Sequence, residues 1–175
     1  MRVLGIDPGT ATVGYGLVES GGRPEVAGRV VRLVECGVLR TNARDGLPQR
    51  LRVIHEGLRE LLERLRPEVL AVEDIFYATN VRTTVALGHA RGVILLAGAV
   101  AGIPVAEYSP ALVKKAIVGR GAALKPQVAY MVAKLLQLKT APTPADAADG
   151  VAVALAHLLL LPVRLPRAGQ RARFA

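Results

Sequence analysis

Four acidic residues stand where their neighbours give no simple reason for charge. Asp7 closes the apolar run Val3-Leu4-Gly5-Ile6, and Glu73 directly follows Leu70-Ala71-Val72. Asp146 and Asp149 lie three residues apart in Pro144-Ala145-Asp146-Ala147-Ala148-Asp149-Gly150, a spacing that puts both on one helical face. An acid in the first turn complements the helix dipole, but that effect fades within a turn, so it accounts for Asp146 better than for Asp149. Carboxylates that converge repel and raise one another's pKa values. Hard oxygen ligands in this number suit Mg²⁺ or Mn²⁺. Two such ions ~3.5–4 Å apart can activate water and stabilise the leaving oxygen of a phosphodiester. That chemistry needs no cysteine, Ser–His pair or zinc-ligand spacing.

Convergence depends on the elements that carry the acids. The run from Val3 to Ile6 is a short buried strand ended by the turn pair Pro8-Gly9. Val13, Tyr15 and Leu17 alternate with Gly14 and Gly16, which predicts a second strand closely approached by neighbouring backbone. The Val/Leu-rich stretch from Arg29 to Arg40 forms a third strand, with a bulge expected near Cys36-Gly37. These three make an antiparallel meander.

Leu47, Leu51, Ile54, Leu58, Leu61, Leu62 and Leu65 then recur at helical spacing, between Pro48 and Pro67. A strand over residues 69–72 ends in Glu73-Asp74. A helix follows from Asn80 to about Gly102, then a strand around Val105. Further helices open at Ser109-Pro110, Lys125-Pro126 and Thr143-Pro144. The order βββαβαβααα predicts an α/β fold: a mixed sheet, three antiparallel strands then parallel strands, covered by helices. With the first and fourth strands as parallel neighbours joined by a right-handed crossover, Asp7 and Glu73 emerge side by side. The small residues around Asp146 and Asp149 would let the last helix approach the sheet and bring all four acids together.

Composition narrows the class of partner. At 175 residues, 51% hydrophobic and 21% charged, the chain is expected to fold as one domain and is not of the disordered class. A formal charge of +9 favours a polyanion, nucleic acid before membrane. The lone Cys36 fits a reducing compartment, and no signal peptide is expected at the start. The longest apolar stretch, Gly92 to Ala106, falls short of the ~18 residues of a membrane span, so the expected location is cytoplasmic.

Five motifs in order carry a family resemblance. Gly5-Ile6-Asp7-Pro8-Gly9-Thr10, continuing to Gly14-Tyr15-Gly16, resembles the opening of RuvC-type Holliday-junction endonucleases. Val72-Glu73-Asp74-Ile75-Phe76 is similar to their second acidic motif, and Leu87-Gly88-His89-Ala90-Arg91-Gly92 to the start of their central helix. Val113-Lys114-Lys115-Ala116, Gly119-Arg120-Gly121 and Lys125-Pro126-Gln127-Val128 resemble their basic segment. Asp146-Ala147-Ala148-Asp149 is similar to the closing acidic pair. Together they span about Arg2 to His157.

The resemblance implies an RNase H-like nuclease domain over residues 1–161. Outside the match, the Arg-rich and acid-free composition of the end of the chain predicts that 162–175 is a basic, flexible tail rather than a dedicated DNA arm. The resemblance also implies a homodimer, two Mg²⁺ or Mn²⁺ ions per site held by Asp7, Glu73, Asp146 and Asp149, and paired symmetric nicking of four-way DNA junctions. Homologous recombination and DNA repair are the expected setting, with a RuvA–RuvB type branch-migration motor as partner. Lys114, Lys125, Thr10, Arg120 and Phe76 are the expected DNA contacts. Solvated surface lysine is the plain alternative for Lys114 and Lys125. For Phe76 the choice is stacking on an unpaired base or packing under the next helix, and the role of Tyr77 stays open. Thr79 departs from the pattern, standing where many relatives carry a basic residue. His55, His89 and His157 fall on separate helices without ligand spacing. Two rival classes start from the same residues. Asp7-Pro8-Gly9-Thr10 also resembles a phosphate loop of actin/sugar-kinase ATPases, which need two such domains. A non-catalytic nucleic-acid-binding module would have little use for four intact acids.

Overall fold

A computed structural model describes residues 1–21, 30–75 and 81–161. Ten elements follow the predicted order: β1 (Arg2–Asp7), β2 (Thr12–Gly21), β3 (Val30–Arg40), α1 (Leu47–Leu65), β4 (Val69–Glu73), α2 (Val81–Val100), β5 (Val105–Tyr108), α3 (Pro110–Val118), α4 (Lys125–Leu135) and α5 (Ala145–Leu160). The sheet order is β3-β2-β1-β4-β5. The first three strands pair antiparallel, while β4 joins β1, and β5 joins β4, in parallel. The mixed sheet is as expected. Its bulge is displaced from the predicted site: pairing shifts between Leu17 and Val18, which face Glu35 and Leu33 and leave Val34 as the extra residue. Nothing in the Val/Leu-rich stretch Val30–Val34 distinguishes that residue beforehand.

Strand alternation divides the core in two. Leu4, Ile6, Leu17, Leu70 and Val72 turn to one face, where Ile54, Leu58, Leu61 and Leu62 of α1 and Ile94 of α2 cover them. Each of these α1 leucines contributes roughly 1.5–3 kcal/mol by leaving water. Val3, Val18 and Ala71 turn to the other face, beneath α3, α4 and α5. Gly5 and Asp7 continue the Val3 side of β1, and Glu73 continues the Ala71 side of β4. Both acids therefore leave the sheet on the α5 face.

α1 ends at Arg66, whose left-handed backbone (φ 45°) lets its N–H reach the Leu62 carbonyl. Ser109 caps α3 by accepting from the Leu112 N–H at 3.3 Å. α2 has no single apolar stripe. Ala90, Ile94, Ala97 and Gly98 face inward, while Val81, Val85, Leu96 and Val100 are exposed. α2 is long and apolar enough to cross a membrane by length and composition alone, and 22% of that window is buried inside the fold. Phe76, Tyr77, Thr79, Asn80 and the tail 162–175 lie outside the described residues.

Candidate active site

Glycine sets the height of α5 above the sheet. A Cβ on Gly5 would lie 2.2 Å from the Gly150 carbonyl oxygen, and one on Gly14 would lie 1.8 Å from the Asp146 carbonyl oxygen. A Cβ on Gly150 would in turn strike the Tyr15 backbone at 2.6 Å. Helix and sheet thus meet backbone to backbone. The alternation of Gly14 and Gly16, unexplained by strand propensity, makes this approach possible.

The start of α5 consequently lies over the end of β1. Oxygens of Asp7, Asp146 and Asp149 fall within 4.8 Å of one another. Glu73 joins from the neighbouring strand, since the parallel register Ile6↔Val72 sets it beside Asp7. Asp7, Glu73 and Asp149 line a cavity of about 170 Å³ walled by Pro110, Val113 and Val128. The hard oxygen donors of this cluster suit a divalent cation of the Mg²⁺ class.

Electrostatics in the cavity follow from crowding. Burial first, and the Asp149 charge next, push Asp7 up to about 6. Burial and then the Asp7 charge push Glu73 up to about 8. The protonated Glu73 donates a hydrogen bond to Asp7, so the two hold one proton between them near neutrality. Such a pair lacks positive charge.

Two lysines line the same cavity, Lys114 on α3 and Lys125 on α4. Lys125 Nζ lies 2.8 Å from Asp149 Oδ2, and this bond raises the lysine pKa. The sequence separates these partners by 24 positions on different helices, with no periodic signal to join them. Arg120 is exposed and donates to Gln127 Oε1 at 3.1 Å, at the start of α4. The Thr10 carbonyl, in the turn after β1, accepts from Thr41 Oγ1 at 2.7 Å and Arg50 Nε at 3.0 Å. His157 is buried, with Nδ1 2.7 Å from the Tyr108 hydroxyl, while His55 and His89 are remote from the acids, lying on α1 and α2 of the opposite layer.

Sheet order, helix placement and acids gathered at the central strand ends define an RNase H-like nuclease. Comparison with known proteins agrees. A Thermus thermophilus RuvC structure superposes with a TM-score of 0.82 at 39% identity, covering 91% of this chain and 94% of that one. T. thermophilus RuvC in complex with Holliday junction substrate gives 0.80 at 36% identity, with the same coverage of each chain. A crossover junction endodeoxyribonuclease RuvC of Moorella thermoacetica is 52% identical over 165 residues, 94% of this chain and 95% of its own. Residues 3–157 match the family described as Crossover junction endodeoxyribonuclease RuvC. The chain belongs to the RuvC family of crossover junction endodeoxyribonucleases.

Proposed function

We propose that this chain resolves four-way DNA junctions by paired symmetric nicks, in recombination and repair. Convergence of Asp7, Asp146 and Asp149 oxygens within 4.8 Å, with Glu73 at their side, carries this reading. Asp7, Glu73, Asp146 and Asp149 would hold Mg²⁺ or Mn²⁺, two ions per site. Bound there, such ions supply an activated water and stabilisation of the leaving oxygen. The acids release the Asp7–Glu73 proton as their counter-charge arrives. Pro110, Val113 and Val128 keep bulk solvent from one side of the cavity. Lys114 and Lys125 meet the scissile strand's phosphates at the cavity mouth, with Arg120 and Thr10 contacting flanking backbone and Phe76 an unpaired base.

Two nicks need two cavities, and each chain has one. The exposed apolar residues Val81, Val85, Leu96 and Val100 on α2 support a twofold homodimer through that helix, matching the symmetry of the junction. Residues 1–161 form the nuclease domain and 162–175 a basic extension. A RuvA–RuvB type motor would deliver the junction. The half-buried thiol of Cys36 suits a cytoplasmic setting.

The decisive experiment incubates the protein with synthetic four-way junctions, linear duplex and RNA–DNA hybrid, with Mg²⁺, Mn²⁺ or chelator. Metal-dependent paired nicks confined to the junction are expected. Equal cutting of linear duplex, or full activity in chelator, overturns the reading.

A further inference from the structure

One arginine on α2 turns back towards the sheet. Arg91 is three-quarters buried, and its Nε is shut from solvent without an acceptor. Its Nη2 lies 3.2 Å from Asp74 Oδ1 and also bonds Glu107 Oε2. Asp74 is the residue immediately after Glu73. Glu107 belongs to β5, opposite Val72. Asp74 is further held by its own N–H, which donates to the Tyr108 carbonyl at 2.7 Å, and by its carboxylate, which accepts from the Ile75 N–H at 2.8 Å.

Strand alternation gives this clamp its meaning. Glu73 leaves β4 on the α5 face, into the acidic cavity, so Asp74 leaves on the α2 face. A restraint on Asp74 fixes the direction of Glu73 without placing any cation in the cavity. The arginine also bridges Asp74 and Glu107, two carboxylates near adjacent strand ends, and its single positive charge offsets their mutual repulsion. An exposed ion pair is worth little. This one draws on a mostly buried guanidinium that joins two strands to a helix.

We propose that Arg91 is a positioning residue for Glu73, acting through Asp74 from the opposite face of the sheet. The proposal rests on Glu73 as a ligand of the metal site. Glu73 sits at the end of a strand, where fewer ladder bonds hold it, and Asp7 repels it when both are charged. Arg91 therefore preserves the metal-binding arrangement of the acids rather than the fold as a whole.

The test measures Mn²⁺ affinity without DNA, by calorimetric titration and by the metal-induced rise in melting temperature. The proteins are wild type, R91Q, R91K, D74N, D74N/R91Q and E73Q. R91Q is expected to weaken Mn²⁺ binding by about tenfold, the scale of lost support behind a metal ligand. D74N should match it, the double variant should be no worse than either alone, and R91K should recover part of the affinity. Junction cleavage by R91Q should be restored by raising Mn²⁺. Wild-type Mn²⁺ affinity in R91Q, or additive losses in the double variant, overturns the proposal. Should R91Q fail to fold, D74N and R91K decide the question by the same readouts. Wild-type affinity in E73Q sinks the assignment of Glu73 itself; weak binding in E73Q with normal binding in R91Q sinks only the role of Arg91.

Discussion

Lys125 and Asp149 are ion-paired at 2.8 Å, so a cation expected to meet DNA stands on a carboxylate expected to meet metal. The lysine side chain is three-quarters exposed, whereas that of Asp149 is not. Its ammonium can leave for a phosphate without dragging the helix along. In the metal-free protein it offsets part of the acidic cluster's charge, and in the loaded site that task passes to the metal. K125A should therefore weaken junction binding and lower the salt slope by about one unit, because one phosphate contact is lost. Fluorescence anisotropy over a salt series measures both. An unchanged slope would leave Lys125 as a partner of Asp149 alone.

D7N, E73Q, D146N and D149N each keep side-chain shape and remove a ligand charge. Each should reduce single-turnover cleavage by at least about a thousandfold, the scale of losing a catalytic metal ligand set. Junction affinity measured in the same buffer should stay within a few-fold. Near-normal cleavage in any variant would exclude that acid from the site.

The raised pKa values of Asp7 and Glu73 carry a signed pH dependence. Folded, they lie at about 6 and about 8, above the ordinary 3.8 and 4.5. The folded state thus binds more protons, and the pair's contribution is fully present below about 4 and lost as pH rises through about 8. In chelator, the difference in melting temperature between wild type and E73Q should grow in favour of E73Q across this window. Mn²⁺ affinity should move the opposite way and strengthen with pH, since the shared proton must leave. Parallel melting curves for the two proteins at all pH values would contradict this account.

G14A tests the contact between sheet and helix. Its new methyl would meet the Asp146 carbonyl, which is backbone and cannot rotate away. A stability loss of about 2–3 kcal/mol is expected in urea unfolding, with cleavage lost in the fraction that stays folded. Wild-type stability would mean that α5 can lift off the sheet freely.

Leu96, 56% exposed on α2, is the place to test the dimer. L96E should give a folded monomer that binds junctions weakly and resolves none, by sedimentation and cleavage assay. A proven monomer with full resolution would remove the twofold requirement. Leu95, one position earlier, packs against the core and would confuse unfolding with dissociation.

Local pattern revealed much of this. Strand-end acids, the Gly14–Gly16 alternation and the proline-opened helices all lie within short windows, and the structure keeps their order. What escaped depends on distant partners. The contacts of Lys125 with Asp149 and of Arg91 with Asp74 join helices to remote segments, which no periodicity encodes. Gly98 is instructive. By sequence Gly98, like Gly88, Gly92 and Gly102, would permit close approach of a second copy, yet it faces inward, where a Cβ would meet Leu70 and Val105 at 2.8 Å. From Gly92 onward α2 is apolar all round, so its sequence could not say which side turns in.

The burial of α5 has a consequence for how the site comes apart. From Ala147 to Leu158 every residue except Asp149 is buried, and the helix lies over the centre of the sheet. Its amides should exchange with solvent only through opening of the whole domain, not through local fraying. Asp146 and Asp149 therefore share the lifetime of the global fold. Under heating or denaturant the acidic cluster should lose its geometry with the last protected core, leaving no partly open state that still binds metal.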